Sequence, residues 1–420
     1  MIQEENKSNL SENQKEGNSK LADRLKHKIF FADADQDFMF QLFLAYHQRG
    51  GSAIGELFNV ARRINPADPM SWKEEFVKEG NKVEAWGEES LQGGHRVSAR
   101  ESFLRAYTYY RSAFCASYPG EKDFDYIYRK SAACFKKSMD LQSFPVEWVE
   151  FEYDGFKFPC CFMKPDNSSE KRPTIIVHNG GESHMEDHYF LVGKAGIDRG
   201  YNVLLWDGPW DVGCRFHNPD LKAKIFGAEK VKETYRQLVD YVLSRPDVDA
   251  HRLIVTGESY GGGKTMVHAS CDNRFAAVVP NSPIHNLAHL FKTNRLPAYT
   301  GSPEDSAKVV ASLPYLARVT LERVIWSHGF DSLVDWIPTL ENGFISDPSK
   351  INCAFLSMCA ESESPELKRQ AEFAYEHVSS KVKAIKKGLV EDGADLHVQV
   401  NNLALGQSMM FDWLDEVLNY

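Results

Sequence analysis

The sequence predicts an α/β fold, with a helical N-terminal region ahead of a mostly parallel sheet. Three observations carry this. Between about Leu21 and Ser143 the apolar residues recur at helical spacing and strand patterns are absent. After Pro145, short apolar runs alternate with helical patterns, as strands covered on both faces require. One such run, Leu253-Ile254-Val255, leads through Gly257-Glu258-Ser259-Tyr260-Gly261 into another helical stretch. A serine between glycines at a strand-to-helix corner is a nucleophile elbow.

In chain order, residues 1–20 are polar and predict a disordered arm. Residues 21–145 predict a helical N-terminal domain. Within it, Ser98 to Arg111 places Phe103, Ala106, Tyr107 and Tyr110 on one helix face, the pattern of a core-facing helix. Residues 146–420 predict the sheet domain. Val146 to Tyr153 alternates like a strand, Asp154-Gly155 is a two-residue hairpin turn, and Phe156 to Met163 returns. Further strands are predicted at Thr174–Val177, Asn202–Trp206, Leu253–Val255, Ala277–Val279 and Cys353–Leu356, with helices such as Ala228–Leu243 between them. Residues 283–345 form a long, helix-like insertion before the last of these strands. Residues 367–382 and 404–418 also read as helical.

Composition excludes several classes. Acidic residues outnumber basic ones by 59 to 49, and a net charge of −10 argues against binding nucleic acid. No apolar run is long enough for a membrane span, and the first residues lack the basic and apolar regions of a secretory leader. Eight scattered cysteines without a C-x-x-C pair read as reduced thiols, so a cytoplasmic location and no metal are expected. Gly263-Lys264-Thr265 ends like a phosphate-binding loop, but that pattern needs glycine where Glu258 stands.

A serine hydroxyl needs a base within hydrogen-bond reach. In the chain order Ser, acid, His, only His377 and His397 follow the late strand. His377 lies in a helical run and is expected to face solvent, whereas His397 follows the loop Gly393-Ala394-Asp395-Leu396 and is the expected base. The acid is expected just past Met358, with Glu361 first, Glu363 second, and Asp331 and Asp335 as outsiders. An oxyanion site needs backbone N–H groups, expected from Tyr260 and from Gly180-Gly181 in the run His178-Asn179-Gly180-Gly181-Glu182. Glu182 beside that site reads either as a proton carrier or as a helix cap.

At these residues the chain resembles the FrsA-like α/β hydrolases with a helical N-terminal domain, in particular the yellowish-green-type polyketide hydrolases and 2,6-dihydroxypseudooxynicotine hydrolase. The resemblance rests on His178–Glu182, Asp207-Gly208-Pro209, Gly257–Gly262 and the tail from Gly393 to Glu416. It implies an α/β-hydrolase core and a serine hydrolase with Ser259 as nucleophile and His397 as base. It also implies cleavage of carbon–carbon bonds next to ketones, assistance by Glu182, no cofactor, a small-molecule carbonyl substrate and a homodimer. The family's acid position falls on Glu361, where relatives often carry aspartate. Relatives usually have glycine where Trp210 stands, so Trp210, with His178, is a candidate for the substrate pocket. An esterase, thioesterase or condensing enzyme with the same residues, or a non-catalytic binding protein on this scaffold, remains open.

Overall fold

A computed structural model describes residues 27–219, 227–295 and 301–420. The polar arm expected at residues 1–20 lies outside the described residues. Within them eight strands form one sheet: β1 (Val146–Tyr153), β2 (Phe156–Met163), β3 (Arg172–His178), β4 (Asn202–Trp206), β5 (Val248–Glu258), β6 (Ala277–Asn281), β7 (Ala354–Ala360) and β8 (Lys383–Gly388). Their order is β1-β2-β4-β3-β5-β6-β7-β8. The β1–β2 and β2–β4 pairs are antiparallel, and β4 through β8 run parallel.

The β1–β2 hairpin follows from its turn. Asp154 and Gly155 both have positive φ, 54° and 80°, as a two-residue turn of this hand requires, and Tyr153 pairs with Phe156 across it. The central strands are apolar throughout because both faces are covered. Ile175, Val177, Val203 and Leu205 enter one hydrophobic cluster, while Ile176 and Leu204 enter the other.

On the first face lie helices α1 (Ala34–Ala45), α2 (Ile54–Arg63), α3 (Ser71–Gln92), α4 (Arg96–Cys115) and α5 (Phe124–Met139). Their core is continuous with the sheet: Trp72, Phe76 and Tyr107 belong to the same cluster as Ile175 and Val177. The opposite face carries α6 (Val212–His217), α7 (Ala228–Leu243) and α8 (Tyr260–Cys271), and then the insertion helices α9 (Pro303–Ala311), α10 (Tyr315–Ser327) and α11 (Leu333–Gly343). Helix α12 (Pro365–His377) precedes β8, and α13 (Leu403–Leu418) packs Phe411 and Leu414 on the first face.

Two elements differ from the sequence expectation. Strand β8 was not anticipated, and the helix expected to reach residue 382 ends at His377. As an edge strand, β8 carries Lys383, Lys386 and Lys387, charges that block further pairing and hide the apolar signal of a strand. Helix α4 is also buried around Thr108, Tyr109 and Arg111, not only along its aromatic face.

The hairpin turn is testable. A Cβ on Gly155 would meet nothing within 4 Å, so Gly155→Ala isolates the cost of positive φ. It should destabilise by about 1 kcal/mol, seen as a lower urea midpoint at unchanged m value.

Candidate active site

Ser259 caps the start of α8 with φ 58° and ψ −120°, a conformation held by its surroundings. Its N–H donates to the Asn281 carbonyl at 2.6 Å. The flanking glycines are required by close approach. A Cβ on Gly257 would lie 2.7 Å from the His178 carbonyl, and one on Gly261 would lie 2.3 Å from it. The end of β3 therefore touches the elbow directly. This brings Gly180 beside Ser259, and a Cβ on Gly180 would lie 3.8 Å from the Ser259 Cβ. The N–H of Tyr260, first residue of α8, has no acceptor within the helix and lies in the same corner.

His397 Nδ1 donates to Glu363 Oε1 at 2.8 Å, and both side chains are buried. Ser282 Oγ donates to the same oxygen at 2.5 Å. With Nδ1 committed, Nε2 is the acceptor nitrogen. It has no hydrogen-bond partner among the described residues, and His397 lines a cavity together with Ser259. Local sequence explains both loops. Ser364 caps α12 by accepting from the Leu367 N–H at 3.2 Å, with Pro365 in the first turn, which fixes the residue just after Glu363. The histidine loop is stitched to the acid loop, since the Ser362 N–H donates to the Asp395 carbonyl at 3.0 Å. Gln399 Nε2 donates to the Cys359 carbonyl at 3.2 Å, and Val398 and Gln399 both take positive φ to make this turn.

The N-terminal helices complete the site. Arg111 of α4 is fully buried and donates to Asp187 Oδ2 at 2.8 Å and to the carbonyl of Glu182. Tyr107 Oη donates to Asp187 Oδ1 at 2.7 Å, and the His184 N–H donates to Oδ2 at 3.0 Å. Burial pulls the Arg111 pKa down, but Asp187 together with Cys115, Tyr107 and Tyr46 outweighs it, and the net shift is well upward. Phe38 of α1 lies against the His397 ring, with centroids 6.2 Å apart.

The overall fold finds counterparts among solved structures. The crystal structure of the 2,6-dihydroxy-pseudo-oxynicotine hydrolase superposes with a TM-score of 0.67 at 17% identity, covering 89% of this chain and 95% of that one. The chain has the α/β-hydrolase fold. Residues 227–317, which include Ser259, match the prolyl oligopeptidase family. The α/β hydrolase psoB of Aspergillus fumigatus is 28% identical over 282 residues, 64% of this chain and 62% of that protein, so the alignment spans less than two thirds of that relative. The hydrolase acrC of Aspergillus aculeatus is 25% identical over 415 residues, 90% of this chain and 95% of that protein.

On this α/β-hydrolase scaffold the structure brings Ser259, Glu182, Gly180, Gly181 and His397 to one cavity. It does not bring Glu361 there. Glu361 is exposed, and its Oε2 accepts from the Val390 N–H at 2.9 Å. The chain leaves β7 at Ala360 with Glu361 turned outward, and Glu363 is the carboxylate that reaches His397. Asp335 is engaged by Ser332 within the insertion, at 2.7 Å. His377 is exposed at the end of α12, as expected.

Neither substrate-pocket candidate lines the cavities around Ser259. His178 is buried beneath the elbow, with Nε2 2.9 Å from His268 Nδ1; burial lowers both pKa values, that of His268 to about 3. Trp210 is buried behind the wall, stacked on His328 with centroids 5.1 Å apart. Its φ is 73°, a value that suits glycine. His328 donates from Nδ1 to the Val324 carbonyl at 2.6 Å and accepts from Tyr260 Oη at 2.8 Å, so Trp210 supports the wall residue Tyr260 from behind. Lys264, from the phosphate-loop lookalike, is paired with buried Asp211.

Sequence reading missed Arg111, Ser183 and His188, all of which line the cavity with Ser259. His188 Nε2 lies 3.1 Å from Ser183 Oγ, and Nδ1 lies 2.8 Å from Glu258 Oε2, an ion-pair approach off the hydrogen-bond line. A charge inside the aromatic run of α4, and the Glu186-Asp187-His188 run after the glycine loop, were the available signals.

Two outcomes are expected. Glu363→Gln should slow labelling of Ser259 by a fluorophosphonate by about 100-fold or more, because the imidazole loses its orienting charge, whereas Glu361→Gln should label like wild type. Arg111→Met leaves Asp187 buried and unpaired, and should lower stability by about 3–5 kcal/mol, measured by urea unfolding.

Proposed function

We propose that this chain is a serine hydrolase that attacks a ketone or acyl carbonyl and cleaves a carbon–carbon bond in a polyketide-like or aromatic ketone metabolite. The observation that carries this reading is the buried His397–Glu363 pair, whose Nε2 has no hydrogen-bond partner among the described residues, with His397 lining the same cavity as Ser259. Ser259 Oγ adds to the carbonyl carbon while its proton passes to His397 Nε2. The oxyanion is held by the N–H groups of Tyr260 and of the Gly180-Gly181 loop. Collapse restores the carbonyl and breaks the bond to the leaving carbon, which takes a proton from His397 or Glu182. Water then adds to the acyl-enzyme and releases Ser259.

The carbon–carbon specificity is supported by Glu182, which is half-buried and lines both cavities that meet at Ser259. A carbanionic leaving group needs a proton more than an alkoxide or thiolate does, and a carboxyl group at this position supplies one. Esterase or thioesterase activity would use the same serine, histidine and oxyanion donors without that demand.

Two measurements test this. Wild type should be labelled at Ser259 by a fluorophosphonate and Ser259→Ala should not; equal labelling of the two would refute the hydrolase. Glu182→Gln should lose cleavage of a β-diketone by about 100-fold while retaining hydrolysis of p-nitrophenyl acetate. Equal loss on both substrates would remove Glu182 from proton transfer.

A further inference from the structure

Two cavities meet at Ser259, and they differ in what builds them. Both contain Gly181, Glu182 and Ser259. The first is walled mainly by the insertion, with Ile284, Leu287, Leu290, Phe291, Val324 and Trp336 as its apolar lining. The second lies under the N-terminal helices, with Phe38 and Leu42 of α1 as its roof. His397 lines only the second, which also contains Ser183 and His188.

That asymmetry orients a substrate. The base that takes the serine proton returns it to the departing group, so the departing group must lie on the side of the imidazole. The other substituent of the carbonyl then points the opposite way, into the insertion cavity. We infer that the insertion selects the acyl portion and the N-terminal helices select the leaving portion, the substrate being an apolar acyl group joined to a leaving portion that carries oxygen functions. The inference rests on the acyl-enzyme reading above.

The linings give each half its chemistry. Six large apolar side chains in the acyl cavity offer burial to an alkyl or aryl group, worth roughly 25 cal/mol per Å² removed from water. In the leaving-group cavity, the hydroxyl of Ser183 and the ring of His188 form a polar edge inside an apolar roof. Such an edge rewards hydroxyl or carbonyl oxygens and leaves a purely hydrocarbon group with unmatched polar neighbours.

The two roles separate in time. For an ester, the Ser259 Oγ–acyl bond forms and the acyl–oxygen bond breaks, with the His397 proton going to the departing oxygen. The leaving portion is then gone. Water attacks an acyl-enzyme that occupies the acyl cavity alone. Residues of the acyl cavity therefore influence both acylation and deacylation, whereas the roof residues of the leaving-group cavity, Phe38 and Leu42, which take no part in proton transfer, influence acylation only.

The experiment is burst kinetics on the whole chain, with p-nitrophenyl esters from acetate to decanoate and with 1-naphthyl acetate. Leu290→Trp, which fills the acyl cavity, should lower the deacylation rate constant and kcat/KM for decanoate about 10-fold more than for acetate. Leu290→Ala should shift preference toward longer acyl groups. Leu42→Trp should lower the acylation rate for 1-naphthyl acetate by about 10-fold relative to p-nitrophenyl acetate and leave deacylation of the shared acetyl-enzyme unchanged. A urea midpoint matching that of wild type shows that each variant is folded. The assignment is overturned if Leu42→Trp alters acyl-length preference or deacylation, if Leu290→Trp alters only leaving-group preference, or if folded variants change neither. A wild type with no Ser259-dependent burst refutes the hydrolase reading itself, a result distinct from reversed selectivity.

Discussion

The buried pair Arg111–Asp187 ties the two halves of this molecule together. A fully buried guanidinium is costly to desolvate, and it is retained only with a charged partner and satisfied hydrogen bonds. Asp187 supplies the charge, Tyr107 and the His184 N–H satisfy the carboxylate, and the Glu182 carbonyl takes a further Arg111 proton. Because Arg111 stands on α4 and its partners stand on the segment after β3, a helix of the N-terminal region sets the backbone that carries Gly180, Gly181 and Glu182. The candidate site therefore depends on helices remote from it in sequence.

The elbow imposes a second constraint of a purely steric kind. The His178 carbonyl lies so close to Gly257 and Gly261 that no side chain fits at either position. The same contact places the glycine loop next to Ser259. Strain at Ser259 is matched by strain at Val398 and Gln399, where the histidine loop turns with positive φ. Both are anchored at the end of β6: the Ser259 N–H on the Asn281 carbonyl, and the Gln399 side chain by its bond from Asn281 Nδ2 at 2.9 Å. One strand end thus registers the elbow and the histidine loop against each other.

Trp210 shows how a local irregularity is absorbed. A large residue occupies a backbone conformation suited to glycine, and its ring is held by stacking on His328. Burial lowers the His328 pKa to about 3, so the ring stays neutral and accepts from Tyr260. The indole sits behind the wall and reaches the cavity residues Tyr260 and Trp336 through His328.

The legible parts of the sequence were those with strong local signals. The hairpin at Asp154-Gly155 was readable because both residues tolerate positive φ. The apolar strands were readable because both their faces are buried, and the elbow because close backbone contact demands glycine. Strand β8 was not, since an edge strand carries lysines that erase the apolar pattern. Glu361 and Glu363 look alike in sequence, and only the turn after β7, set by the Ser364 cap, decides which one meets His397. Arg111 and His188 could not be assigned at all, because their roles depend on contacts across 76 residues for Arg111 and Asp187 and on the approach of separate segments for His188 and Glu258. By itself the sequence determined the order of most elements and the glycine-flanked corner at Ser259, through steric and periodic rules that act over a few residues. The tertiary structure alone decided which glutamate meets His397, the clamp on the glycine loop and the two-sided cavity, because charge pairing and cavity walls are properties of groups that only folding brings together.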